Sequence, residues 1–247
     1  MNRLISVAVP TRHRIKKLDN FITSFKNTTF SDERPHLTII HDNPTSKEEV
    51  NFTRPLISDS INVIHNLYKS SLAQLWNQCI INAPTDWVLV CNDDAIFKQG
   101  WLEYLTKQIF SDKYKQINLL NYGGMCLHKS WIVRIGWFDE QFEGGGYEDV
   151  DYQLRISELK QKHLVDMSND FVFLEHRKDS SDGCDWEGRN NSIHIVNKWG
   201  RKENWNLPSY RWMKEIDWHP KFTSEYIRKY SEEPIYLSYK SSEAVYP

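Results

Sequence analysis

The sequence predicts an α/β fold, a mostly parallel sheet covered by helices, and three observations carry that reading. Trp87 to Cys91 is a continuous, valine-rich apolar run, as expected of a strand buried on both faces. The first hundred residues alternate such runs with stretches whose apolar residues recur at offsets of three and four, the period of a helix that buries one face. The run at Trp87 also stops abruptly at Asn92, Asp93 and Asp94. Polar residues at the carboxyl end of a strand lie where open α/β sheets bind ligands.

Leu4 to Val9 reads as the first strand and Pro10 to Arg14 as a polar loop, followed by a helix with Ile15, Leu18, Ile22 and Phe25 on one face. Leu37 to Ile40 is a second strand, ending in His41 and Asp42, and Ile61 to His65 a short third. Leu72, Leu75, Trp76, Cys79 and Ile80 mark a helix that Pro84 closes. After the strand at Trp87, Gly100 to Leu105 begins another helix. Ile117 to Tyr122 and Met125 to His128 read as strands flanking Gly123 and Gly124. Trp131 to Ile135 is a short helix with Gly136 as its stop. Glu148, Asp149 and Asp151 open a helix directly after three consecutive glycines, Gly144 to Gly146. Acidic residues there either complement the helix dipole or serve a ligand that the bare glycine backbone lets approach. Asp170 to His176 reads as a strand ending in His176. In the tail, Ile193, Val196 and Trp199 fit one helix and Phe222, Tyr226, Ile227 and Tyr230 another.

A chain of 247 residues suits one α/β domain with an appendage. Its net charge of −2 offers nucleic acid no electrostatic attraction. No apolar run is long enough to span a bilayer, and the apolar stretch near Met1 is too short for a signal segment. Cys79, Cys91, Cys126 and Cys184 are scattered without a C-x-x-C pair, which favours a reducing, cytoplasmic location. Tryptophan is frequent, and its flat apolar body suits sugar rings as well as cores. Asp93 and Asp94 offer hard oxygen ligands suited to Mg²⁺ or Mn²⁺, or they form an ordinary Asx-type turn. Neither a G-x-G-x-x-G turn nor a phosphate-binding P-loop is present. A bound phosphate must therefore be held by a metal and side chains.

Val7 to Thr11, the strand ending near Asp42, Ser71 to Ile80 with Asn77, Asn92 to Asp94, Gly136 to Glu140 and Glu148 to Arg155 follow one another in a familiar order. Over roughly residues 4 to 176 they resemble glycosyltransferase family 2, which has the Rossmann-like GT-A fold. The resemblance implies a catalytic domain over 1–180, with a nucleotide-binding half (1–100) and an acceptor and catalytic half (101–180). A smaller antiparallel part belongs to it, and a helical or loop extension (181–247) packs against it. It implies transfer of a sugar, with inversion, from a UDP-, GDP- or dTDP-sugar donor to a hydroxyl of a glycan or glycoconjugate, with Mn²⁺ or Mg²⁺ as cofactor. By position, Pro10, Thr11, Arg12, Asp42, Asn77, Asn92 and Asp93 would hold the nucleotide-sugar. Asp94 and His176 would hold the metal, although His176 also reads as a plain surface histidine at a strand end. Asp149 would be the general base, with Glu148 second, and Trp137, Phe138, Gly145 and Asp151 would face the acceptor. Asn92 replaces the first aspartate of the family's D-x-D motif, which weakens the metal-binding pair. The loop 182–189 would close over the donor. A sugar nucleotidyltransferase is disfavoured, because the loop after the first strand lacks the glycine-rich, basic sequence that cradles a triphosphate. A non-catalytic carbohydrate-binding protein is the other alternative. Oligomeric state stays open.

Overall fold

Side chains alternate across a strand, so a strand buried on both faces must feed two cores. Here it does. The computed structural model describes residues 4–29, 34–66, 69–176 and 191–199. The chain runs β1 (Ile5–Thr11), α1 (Ile15–Asn27), β2 (His36–Asp42), α2 (Lys47–Thr53), β3 (Ile61–Asn66), α3 (Leu72–Asn82), β4 (Trp87–Cys91) and β5 (Ala95–Phe97). It continues with α4 (Trp101–Phe110), β6 (Gln116–Asn118), β7 (Gly124–His128), α5 (Ser130–Ile135), α6 (Glu148–Glu158), β8 (Val165–Asp166), β9 (Leu174–His176) and α7 (Asn191–Trp199).

Ile5, Val7 and Val9 of β1 and Trp87, Leu89 and Cys91 of β4 join one core with Phe21 and Phe25 of α1 and Trp101 and Leu105 of α4. The intervening Ala8, Val88 and Val90 join the other, with Trp76 and Ile80 of α3, Trp131 of α5 and Tyr152 of α6. The result is a three-layer sandwich. Two helices, α2 and α3, begin with capping boxes, Ser46 with Glu49 and Ser71 with Gln74, which satisfy backbone donors left over in the first turn.

The main sheet has the order β3-β2-β1-β4-β7-β6-β8. β1 to β4 pair in parallel, β7 runs antiparallel to both β4 and β6, and β8 is parallel to β6. Strand order reverses between β1 and β4, and the crevice beyond their carboxyl ends is the favoured binding place of such a sheet. A separate two-stranded antiparallel ladder joins β5 to β9 and pairs Ala95 with His176.

Several boundaries differ from those expected. Pro10 and Thr11 continue β1 rather than forming a loop. Pairing with β4 ends at Ala8, so beyond it Pro10 lies beside β2 alone, and a missing N–H is tolerated where one ladder has stopped. The segment Asp170 to His176 is a strand only from Leu174, because the preceding residues turn. β6 ends at Asn118, and 119–123 form a turn closed by the Gly123 N–H on the Leu120 carbonyl, 2.9 Å. α2, β5 and β8 were not expected. The tail helix around Ile193 is present as α7, whereas the proposed lid at 182–189 and the helix at 222–230 lie outside the described residues.

Candidate active site

Every parallel strand delivers a polar residue to one edge. The Thr11 hydroxyl, ending β1, donates to Asp93 Oδ2 at 2.8 Å, and Arg14 Nη1 reaches Asp93 Oδ1 at 2.8 Å. Asp93 is buried and already partnered on both oxygens. Burial and the adjacent Asp94 raise its pKa against the pull of Arg14 and Thr11. Asp42, ending β2, is likewise buried. It accepts from Arg12 Nε at 2.7 Å, from Asn66 Nδ2 at 3.2 Å and from the Ser70 N–H at 3.2 Å. Arg12 also donates to the Ser70 carbonyl. Pro10, Thr11, Arg12, Asp42 and Asp93 thus form one continuous wall.

Asp94 faces the other way, partly exposed. Because β5 pairs with β9, His176 is brought beside it, with Nδ1 3.3 Å from Asp94 Oδ1. Burial opposes the charge on Asp94, but His176, with Arg14 and Lys17 beyond, outweighs it and holds the carboxyl below its ordinary pKa. The Asp94 carboxylate suits Mn²⁺ or Mg²⁺, which usually take part of their shell from water and phosphate oxygens, and the neighbouring imidazole suits Mn²⁺ better than Mg²⁺. Among the described residues no group of three or more His, Cys, Asp or Glu could hold a metal. Gly123 lies underneath. A Cβ there would come within 2.9 Å of the His176 ring and 3.1 Å of the Asn92 amide. Asn92 is anchored by its backbone N–H on the Gly123 carbonyl, 2.8 Å.

The second acidic corner belongs to the same edge, by a traceable route. Ser70, which bonds Asp42, leads into α3, and the Leu72 N–H there donates to the Gly144 carbonyl at 2.6 Å. Two residues after Gly146, Glu148 and Asp149 open α6, while the Asp149 charge is felt at Tyr122, the neighbour of Gly123. Glu148 is buried, and its Oε2 has no hydrogen-bond partner among the described residues. Burial first, and then the Asp149 charge, push its pKa up to about 8. Burial also raises Asp149, which accepts from the Val150 N–H at 2.8 Å. Two neighbouring carboxyls in a dry site resist ionising together.

Three expected site residues face inward instead. Asn77 is fully buried; its amide bonds the Phe138 backbone in both directions, at 2.9 and 3.0 Å, and the Glu140 carboxylate at 2.9 Å. It clamps the 136–140 loop rather than lining a nucleotide pocket. Phe138 is core, packed edge-on to Trp76 and stacked on Tyr152. Asp151 is fully buried too, because one turn of helix pairs it with Arg155 at 3.0 Å, and Lys198 and Trp199 of α7 each bond its other oxygen at 2.7 Å. Neither Phe138 nor Asp151 can meet an acceptor. Trp137 stays half-buried and Gly145 lies within the loop before α6. The partners His194 and Lys198 were missed, since they come from a segment with no motif, and Asp139, inside the Gly136 to Glu140 stretch, was given no role of its own.

The match that decides the family spans residues 6–168, under the description Glycosyl transferase family 2. The chain belongs to that family. Among solved structures this family member is similar to S. aureus TarS 1–349, with 12% sequence identity and a TM-score of 0.50. The likeness covers 62% of this chain and 55% of that one, so the family member spans about half of the TarS structure. At that identity it speaks to the fold, which is GT-A-like. No curated protein matches the chain. Among the described residues no helix is long and apolar enough to cross a membrane.

Two predictions follow from these buried charges. Asp151→Ala leaves Arg155 and Lys198 facing each other without their shared carboxylate, and should cost about 3–5 kcal/mol in urea unfolding. The raised Glu148 binds a proton in the folded state that the unfolded chain releases near the ordinary value of 4.5, so its stabilisation is complete below that pH and lost as pH rises through about 8. Asp139, held well below the usual range as His194 and Lys198 overcome its burial, acts oppositely and weakens the fold only in acid. Urea midpoints should therefore fall between about pH 5 and pH 9, and Glu148→Gln should flatten that fall.

Proposed function

We propose that this family member transfers a sugar from a nucleoside-diphosphate donor (UDP, GDP or dTDP type) to a hydroxyl of a glycan or glycoconjugate, with Mn²⁺ or Mg²⁺ and with inversion. One observation supports the reading: Asp94 and His176 meet beyond β4, at the reversal of strand order, and the Leu72–Gly144 hydrogen bond ties the glycine loop before Glu148 and Asp149 to the start of α3. Asp94 and His176 would hold the cation, which supplies Lewis-acid stabilisation of the departing diphosphate. The wall formed by Pro10, Thr11, Arg12 and Asp42 would receive the nucleoside, with Asn92 and Asp93 beside it. In Asp42, the oxygens already bonded to Arg12, Asn66 and Ser70 would orient that wall as much as contact a base.

Glu148 is buried and its pKa is pushed up to about 8, whereas Asp149 is only half-buried, so Asp149 would serve as the base of the pair. It would take the proton of the acceptor hydroxyl as the acceptor oxygen bonds the anomeric carbon and the bond from that carbon to the diphosphate breaks. With base and leaving group on opposite sides of the sugar, one displacement inverts the anomeric centre. Trp137 and the glycine loop at Gly145 would border the acceptor.

Calorimetry with UDP, GDP and dTDP, each with and without Mn²⁺, tests the binding half. Asp94→Ala should weaken nucleotide binding at least tenfold in Mn²⁺ and abolish the metal dependence. Asp149→Asn should leave binding within about twofold while lowering kcat by roughly 10²–10⁴-fold. Turnover retained in Asp149→Asn removes that residue from the role, and no nucleotide binding by the wild type ends the reading.

A further inference from the structure

A run of three glycines has no side chains with which to hold its own backbone, and glycine loses more freedom on ordering than any other residue. In this loop the need is acute. Gly144, Gly146 and Tyr147 all have positive φ, at 60°, 101° and 74°, and Tyr147 is the residue from which α6 starts. Something outside the loop must keep it in place.

That something is Asn191, the first residue of α7, itself 1% exposed. Its side-chain oxygen accepts from the Glu143 N–H at 2.9 Å. Its amide nitrogen donates to the carbonyls of Glu143 at 2.7 Å, Gly146 at 2.9 Å and Gly145 at 3.4 Å. One side chain therefore gathers the loop's backbone from Glu143 to Gly146. The far end of α7 is fastened to the same region. Lys198 Nζ lies 2.7 Å from both Asp139 and Asp151, His194 meets Asp139 at 3.0 Å, and Trp199 Nε1 donates to Asp151. Between these ends Ile195 and Trp199 form a small apolar cluster with Phe142, Val150 and Leu154.

We propose that α7 braces the acidic corner and that Asn191 is a positioning residue, setting the place of Glu148 and Asp149 through the glycine loop. The inference rests on the function proposed above. Asn191 acts on the reaction through the loop backbone, and Lys198 fixes the underside of α6 through Asp151. A displacement of the order of 1 Å at a reacting group costs up to about 10²-fold in rate, so releasing the loop should be felt in turnover before it is felt in donor binding.

The test uses Asn191→Ala and the milder Asn191→Ser in the full chain. The expected result is a kcat lowered roughly ten- to a hundredfold, with nucleoside-diphosphate affinity in Mn²⁺ within about twofold of wild type. Amide exchange should quicken at 144–150 and stay unchanged at 88–91, with the serine variant intermediate in both readouts. Unchanged kcat and exchange, or a kcat that falls in step with nucleotide affinity, overturns the proposal. If the alanine variant fails to fold, the serine variant decides by the same criteria, and loss of folding in both makes Asn191 a plain structural residue and overturns it as well. A wild type that neither binds nor turns over nucleotide-sugar defeats the earlier reading, while the exchange comparison still decides whether Asn191 holds the loop.

Discussion

The hydrogen bond from Thr11 to Asp93, backed by Arg14, ties the end of β1 to the turn after β4 at the place where strand order reverses. Two adjacent carboxylates are thereby given different tasks. Asp93 is turned into the protein and its oxygens are used up by side chains from the first strand and the loop behind it. Asp94, the next residue, must then point outward, toward β9. The turn's chemistry is thus divided between holding and presenting, and the presenting residue inherits a direction that its neighbour's burial dictates.

A second division of this kind runs through α6. Helical geometry separates residues one position apart by about 100°, so the first turn can leave Asp149 partly exposed while directing Asp151, two positions on, inward to Arg155, Lys198 and Trp199. Removing several charges from water is costly, and an ion network of this kind is weak evidence for stability by itself. Its effect here is geometric. Two acids, Asp139 from the loop after α5 and Asp151 from α6, share the Lys198 ammonium. The loop, the helix and α7 consequently have one relative arrangement in which no charge is left alone.

The parallel half of the sheet was legible because its strands are continuous apolar runs ending in polar residues, and the helices over them carry offsets of three and four. The pairing of His176 with Asp94 was also anticipated at the level of the residues, although the ladder that creates it was not, since three-residue strands such as β5 and β9 carry too little pattern. Phe138 and Asp151 misled for a different reason. A motif states which residues are near one another in sequence, not which way each points, and both side chains point into the core. Asn77 is the same case on α3, between the core residues Trp76 and Cys79. The pairing of Asp139 with His194 and Lys198 was illegible, because it joins residues more than fifty positions apart in the chain.

The ladder between β5 and β9 has one more consequence. Ala95 and His176 are register partners, and Asp94 immediately precedes Ala95. The spacing between the carboxylate and the imidazole is consequently bounded by main-chain bonds across two strands, with Gly123 as the floor beneath. The ladder fixes how far apart the two backbones stand, and the side chains' own rotamers then set the final distance between carboxylate and imidazole. A bulge introduced into β5 would therefore shift the register and part the two side chains, while leaving both residues in the sequence.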